Sequence, residues 1–201
     1  MDESASHFIE KWFVSEKPFV LGLRHEDKEV RLKTLNRFCS KFGVVRNLKR
    51  LETEKTEGRL NPLLTILERY KKKYKEIDRS DTSKIVNKLS ENIREDYGTL
   101  NISLSSKLLW MLFQSPIVIY DSKVKIALKS EGYKIKDGDY DQYLKSWNDL
   151  YEKHKPDIKK SCAWLVKSKP FEGILDSGEL KELMTSDWFQ LRVFDIYLWK
   201  L

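Results

Sequence analysis

SLSSKLLWMLFQSPIVIYDSKV, residues Ser103 to Val124, is the stretch on which the reading of this chain turns. Leu108 to Phe113 is apolar at six consecutive positions. A helix that is apolar all round is buried on every side, so this segment predicts the central core helix of a helical protein. Ser105 or Ser106 is the expected cap of that helix. Pro116 cannot continue it, so the helix ends near Gln114 and "SPIVIY" becomes a short extended link. Asp121 or Ser122 then caps a further helix through Val124, Ile126 and Leu128. The stretch is too short and too interrupted, by Lys107, Gln114 and Pro116, to span a bilayer. Its middle is explained by burial. Its ends, Lys107 and Asp121, are not.

Outward from this stretch the same helical period recurs. Val30, Leu32, Leu35, Phe38, Phe42, Val45, Leu48 and Leu51 follow it, with Gly43 dividing them into two helices. "TEKTEGR" is a polar connector. Asn61-Pro62 reads as a cap with proline in the first turn, opening a helix through Leu63, Leu67, Tyr70, Tyr74 and Ile77. Ile85, Val86, Leu89 and Ile93 form the helix that precedes the opening stretch. Tyr140, Tyr143, Leu144, Trp147, Leu150 and Tyr151 form a stripe after it, and "DIKKSCAWLVK" adds a separate short set. Residues 179–201 hold two aromatic-rich helical stretches. The first 25 residues, with "WFVSEKPFVLGL", read as a short strand or an extended arm.

The composition agrees with an all-α domain spanning 1–201. Hydrophobic residues are 40% and aromatics 12%, enough to build a core; eight glycines and five prolines are too few for a turn-rich β protein. Two cysteines (Cys39, Cys162) and three scattered histidines exclude a zinc-type cluster, and no cofactor or metal is expected. The cysteines read as buried small hydrophobes, and Trp147, Trp164, Trp188 and Trp199 as core. The N-terminus has early acids and no long apolar run, so no secretory signal is expected, and the chain reads as cytoplasmic, or nucleoid-associated in a bacterium. The net charge of +7 favours a polyanionic partner, a balance shared by ribosome-associated, RNA-binding, DNA-binding and membrane-surface proteins.

The order of helix, "NISLSSK", apolar helix, link and "IYDSKV" resembles the central part of the helix-hairpin-helix DNA glycosylase superfamily, in its 8-oxoguanine DNA glycosylase branch. That family carries a Leu-Pro-Gly-Val-Gly-x-Lys hairpin, an apolar helix and a Val-Asp-x-His-Val segment. "NISLSSK" stands at the hairpin, with serines in place of glycines. Lys107 falls on the nucleophilic lysine of the bifunctional members. Asp121 falls on the catalytic aspartate, without the histidine that follows it in the family. "LRVFDIYLWKL" is similar to the closing helix of small members. The resemblance covers roughly residues 85–130 and implies a helix-hairpin-helix fold, with 81–130 as hairpin and catalytic segment and 179–201 as closing helix.

The implied activity is excision of a damaged or modified base from DNA, in repair or in defence against phage, by a monomer. The base is flipped out of the duplex and its N-glycosidic bond is cut. Asp121 would stabilise the oxocarbenium-like charge on the sugar, and Lys107 would attack C1′ or hold a phosphate. Ser105, Ser106, Lys123 and Lys125 are the expected DNA-binding residues, and Phe194 and Asp195 the expected base-pocket residues. The bland readings stand beside these. Asp121 is what an ordinary N-cap looks like, and Lys107 reads equally as a lysine whose stem runs out along a core helix. The alternatives are a catalytically inactive helical nucleic-acid-binding protein and a protein-interaction module.

Overall fold

A computed structural model describes residues 1–43, 48, 58–168 and 176–201, and among them there is no strand. The fold is all-α. The chain, read from sequence as one helical domain, divides into two compact units: residues 1–12 with 118–201, and residues 13–117.

The second of these begins with a helical hairpin, α2 (Lys17–Arg24) and α3 (Lys28–Lys41). The helix α1 (Asp2–Lys11) and a π-turn over Trp12–Glu16 precede it, so the N-terminus is helical and neither a strand nor an extended arm. Phe8, Ile9, Phe19, Val20 and Leu23 are buried at a helical spacing that the short window "WFVSEKPFVLGL" concealed. Asp27 caps α3 by accepting from the Glu29 N–H at 2.7 Å. Gly43 lies past the end of α3 at φ 65°, and the second half of the expected helical stripe falls outside the described residues apart from the buried Leu48.

Next come α4 (Asn61–Lys73), α5 (Thr82–Tyr97) and α6 (Ile102–Phe113). Asn61 is the first residue of α4 and not its cap; Leu60 occupies the cap position, where it has no side-chain acceptor to offer. The free N–H of Leu63 is served by the Tyr97 hydroxyl at 3.1 Å, and that hydroxyl donates to the Arg59 carbonyl at 2.7 Å. Arg31 on α3 pairs with Glu68 on α4 at 2.7 Å. Gly98 ends α5 in the left-handed region at φ 73°, its N–H returning to the Arg94 carbonyl. Four residues later, at Ile102, α6 starts. Leu108, Leu109, Trp110, Met111 and Leu112 are buried on it, as an all-apolar helix requires, while Phe113 is half-exposed.

The other unit joins α1 to α7 (Ser122–Ser130), α8 (Tyr140–Ser168), α9 (Ser177–Thr185) and α10 (Asp187–Lys200). The stripe from Tyr140 and the set after Asp157 are one helix, not two. Pro156 sits on the exposed face of α8, so the carbonyl that loses its N–H partner there is left to solvent. α1, α7 and α9 all pack on α8 and α10. The core between them is aromatic: Trp147 stacks on Tyr151 with ring centres 5.2 Å apart and meets Phe194 edge-on at 5.0 Å, and Phe8 meets Phe189 at 4.8 Å. Trp147 is core as expected. Trp164 and Trp199 are not, being nearly half exposed. Cys39 and Cys162 are buried thiols, both pushed up to about 12 by burial.

Candidate functional site

Asp121 is placed by the link that precedes it. Ile117, Val118, Ile119 and Tyr120 are all buried, although none is helical. Buried backbone outside regular structure must find hydrogen bonds elsewhere. The first turn of α8 supplies them. Tyr140 donates its hydroxyl to the Val118 carbonyl at 2.6 Å, and Tyr143 donates to the Ile119 carbonyl at 2.7 Å. The Gly138 N–H donates to the Tyr120 hydroxyl at 3.0 Å. Residues 140 and 143 lie on one helix face, so one turn of α8 reads two consecutive carbonyls. Burial drives both phenols well above their ordinary range, keeping them as donors.

Beyond this anchored link the chain enters α7 with Asp121 as its cap. Asp121 Oδ1 accepts from the Lys123 N–H at 2.9 Å, and the Asp121 carbonyl receives the first helical bond from Lys125 N–H. Asp121 and not Ser122 fills the role, because its backbone is extended at φ −128° and ψ 140°. The carboxylate is half-exposed, and its Oδ2 accepts a hydrogen bond from none of the described residues.

α10 packs against α7 and carries a second carboxylate. Asp195 is 3% exposed; the Trp147 indole N–H donates to its Oδ1 at 3.1 Å, and Arg192 pairs with its Oδ2. Burial raises the Asp195 carboxyl to about 6, against the pull of Arg192 and Trp147, and the negative charge of Asp121 adds to the rise. Arg192 is itself buried and lies 5.9 Å from the centre of the Phe8 ring. This is a desolvated ion pair with hydrogen bonds to both carboxylate oxygens, the form in which a buried charge is tolerated. Phe194 is fully buried beside it. Both residues of the expected base pocket are therefore parts of the α8–α10 core.

Lys107 lies in the other compact unit, on the second turn of α6. It is half-exposed, and its Nζ donates to Ser103 Oγ at 2.6 Å, one turn back. The start of α6 corrects the sequence reading. The cap is Asn101, whose Oδ1 accepts from the Leu104 N–H at 3.0 Å and whose own N–H donates to Ser90 Oγ at 2.9 Å. Ser105 and Ser106 are one turn inside the helix. Both are fully buried, and their hydroxyls donate to the Asn101 and Ser103 carbonyls. Neither caps the helix, and neither hydroxyl is presented to a ligand. Serines within a helix bond back to the preceding turn, which is why a run of small polar residues imitated a cap.

The two lysines after Asp121 are engaged. Lys123 is exposed and places Nζ 3.8 Å from the centre of the Trp199 ring. Lys125 pairs with Asp137 at 2.7 Å, which raises its affinity for the proton, and Lys129 reaches the same carboxylate at 3.6 Å.

Sequence reasoning missed Asn101, the Tyr140–Tyr143 pair and Arg192. The last left a trace: an arginine three residues before an aspartate on a helix that is otherwise apolar all round signals a buried pair. Among the described residues no group of histidine, cysteine or carboxylate side chains is arranged to hold a metal, and no helix is long and apolar enough to cross a membrane. No protein-family model matches the chain, and no curated protein or solved structure matches it.

Proposed function

We propose that this chain is a DNA glycosylase in which Asp121 is the catalytic carboxylate. One observation carries the reading: a half-exposed carboxylate with one committed and one uncommitted oxygen, at a helix start that follows a fully buried, tyrosine-anchored link. A cap that served the helix alone would not need that anchoring. The resemblance of "IYDSKV" to the family's aspartate segment and the net charge of +7 support it.

In this mechanism a modified base is flipped from the duplex and the bond between its nitrogen and C1′ of the sugar breaks. The base leaves with the bonding electrons and takes up a proton. Asp121 Oδ2 faces the positive charge left on the sugar. On the hydrolytic route a water oxygen bonds to C1′ and its proton passes to Asp121. On the lyase route the neutral Lys107 amine would bond to C1′ as the base departs, one of its protons would pass to O4′ as the C1′–O4′ bond opens, and the resulting protonated Schiff base would lose a C2′ proton to solvent as the 3′ phosphate leaves with the electrons of the C3′–O bond.

The test is a panel of duplexes, each with one modified base, scored for alkali-labile sites. Release from at least one duplex, lost in Asp121→Asn, is the expected result. Borohydride trapping that disappears in Lys107→Gln assigns the lyase route. Full activity of Asp121→Asn on a confirmed substrate removes Asp121 from the mechanism.

A second reading has its own observation. The entry to α6 turns Ser105 and Ser106 inward, so the glycine-rich backbone clamp of the family has no side-chain substitute here. A helical DNA-binding protein without catalysis fits that. Salt-dependent DNA binding with no base release across the panel is its signature.

A further inference from the structure

The α2–α3 hairpin holds a cleft that plays no part in the reading above. The two helices approach closely at Gly22, where a Cβ would lie 2.3 Å from Thr34 Oγ1; only glycine admits that approach. From there the antiparallel register runs through Phe19 beside Phe38, ring centres 5.6 Å apart, to Ser15 beside Lys41 at 2.6 Å. At this far end a cleft of about 400 Å³ opens, lined by Ser15, Phe19, Asn36, Arg37, Ser40 and Lys41 among others. That volume lies within the range of small-ligand sites, roughly 300–1,000 Å³.

The lining is chemically one-sided. Among the described residues it holds two cations, three hydroxyl side chains and an amide, and no carboxylate. Arg37 and Lys41 are four residues apart on α3 and share a face. Neither pairs with a carboxylate of the described residues. Lys41 Nζ is instead drawn to Ser15 Oγ and lies 5.5 Å from the centre of the Phe19 ring. Arg31, on the same helix, already has its carboxylate in Glu68, so the lack of one at Arg37 and Lys41 is a local property of the cleft. A guanidinium fork, an ammonium and hydroxyls around a concave surface match the oxygens of a phosphate group, and the aromatic wall suits a flat or apolar part attached to it.

We propose that this cleft binds a phosphate ester, belonging to a free nucleotide or to a nucleic-acid strand. The site uses neither Asp121 nor Lys107, so its failure and the failure of the glycosylase reading are separate results.

Calorimetric titration of the full chain at low salt tests it, with thymidine, thymidine monophosphate and a 5′-phosphorylated single-stranded oligonucleotide as probes. A phosphate-bearing probe is expected to bind and thymidine is not. Arg37→Gln is expected to weaken binding by about 10- to 100-fold, the worth of a charge-assisted hydrogen bond. Ser15→Asp, which places a carboxylate beside Lys41, is expected to abolish it. Lys72→Gln, on the exposed end of α4, is expected to leave it unchanged. Binding of the monophosphate identifies a free nucleotide as sufficient; binding of the strand alone, still lost in Arg37→Gln, identifies backbone phosphate. Failure of both phosphate probes, or equal binding by the parent, Arg37→Gln and Ser15→Asp, overturns the proposal.

Discussion

The entries to α6 and α7 deliver the two residues that stood out in the sequence, and they are built in different ways. At α6 the start is local. Asn101 caps it, Ser105 and Ser106 bond to the turn before them, and Lys107 reaches Ser103 one turn away. At α7 the start is fixed from outside. Two tyrosines of α8, far along the chain, hold the carbonyls of the link, and α10 packs a buried ion pair nearby. The remote bonds at α7 lie beyond the reach of spacing, while at α6 several local groups compete for one cap. The difference also separates two kinds of charge, since Lys107 has a partner within its own helix while Asp121 keeps an oxygen uncommitted. The second is the arrangement expected of a group that acts on something else.

The strongest way to break this contrast is to remove the buried pair behind α7. Asp195→Ala strands Arg192 in the core without its counter-charge, and should cost about 4 kcal/mol of stability by chemical denaturation. The same carboxyl makes a pH prediction. Its folded-state pKa, about 6, lies above the usual value for an unfolded aspartate. The folded chain therefore binds more protons than the unfolded chain between those values. Asp195's contribution to stability is fully present below the unfolded pKa and falls as pH rises through about 6. Subtracting the stability profile of Asp195→Asn from that of the parent should isolate this falling slope. A flat difference between pH 4 and 6, on the scale of those two pKa values, would show that Arg192 keeps the carboxylate ionised throughout.

Asp121→Asn sharpens the comparison on the functional side. Asparagine caps helices as well as aspartate does, so stability should stay within a few tenths of a kcal/mol. Base release on a confirmed substrate should fall by about 10²- to 10³-fold, or about 3–4 kcal/mol of barrier, as the negative charge facing the sugar is lost. The asymmetry between the two readouts is the point. Base release as unchanged as the stability would make Asp121 a structural cap, the equal of Asn101.

The elements were legible where period and punctuation agreed. α5, α6, α7 and α10 follow from apolar spacing, from Gly98 and from the proline at 116. Where two signals competed, the sequence misled. The reading set "DIKKSCAWLVK" apart from the Tyr140 stripe, but Pro156 between them lies on an exposed face, where the carbonyl that loses its partner can turn to solvent, and the helix continues. Serines 105 and 106 have the chemistry of caps, yet Asn101 stands earlier and is tied to Ser90, eleven residues back along α5. The aromatic N-terminal stretch is helical because α1 packs on α8 and α10 and α2 packs on α3 and α6, which no short window records. Asp121 was legible as a cap. Its anchoring by Tyr140 and Tyr143 was not, because nothing in the spacing of a tyrosine stripe names the carbonyls it will meet.

Tyr143→Phe tests the anchoring directly. The substitution keeps the ring among Tyr120 and Tyr140 but leaves the buried Ile119 carbonyl without a donor. A stranded buried acceptor costs about 1–3 kcal/mol. If the link exists to hold Asp121, base release should fall by more than the population of folded chain does. Loss of stability alone, with turnover per folded molecule unchanged, would show that the link serves the core and not the carboxylate.

The smallest effect is expected at the local entry. Asn101→Ala removes the acceptor for the Leu104 N–H and should cost about 1 kcal/mol. Asn101→Ser should recover most of it, since serine caps as well and does not bury the amide nitrogen of Asn101, which meets no acceptor among the described residues. Neither change reaches α7, so neither should alter turnover by folded protein through Asp121. If Asn101→Ala proved neutral, the bond from the Asn101 N–H to Ser90 would be what fixes the start of α6, and that entry too would be held from the neighbouring helix. The contrast between the two helix starts would then be one of degree: an eleven-residue reach at α6 against a reach of 22 and 24 residues at α7.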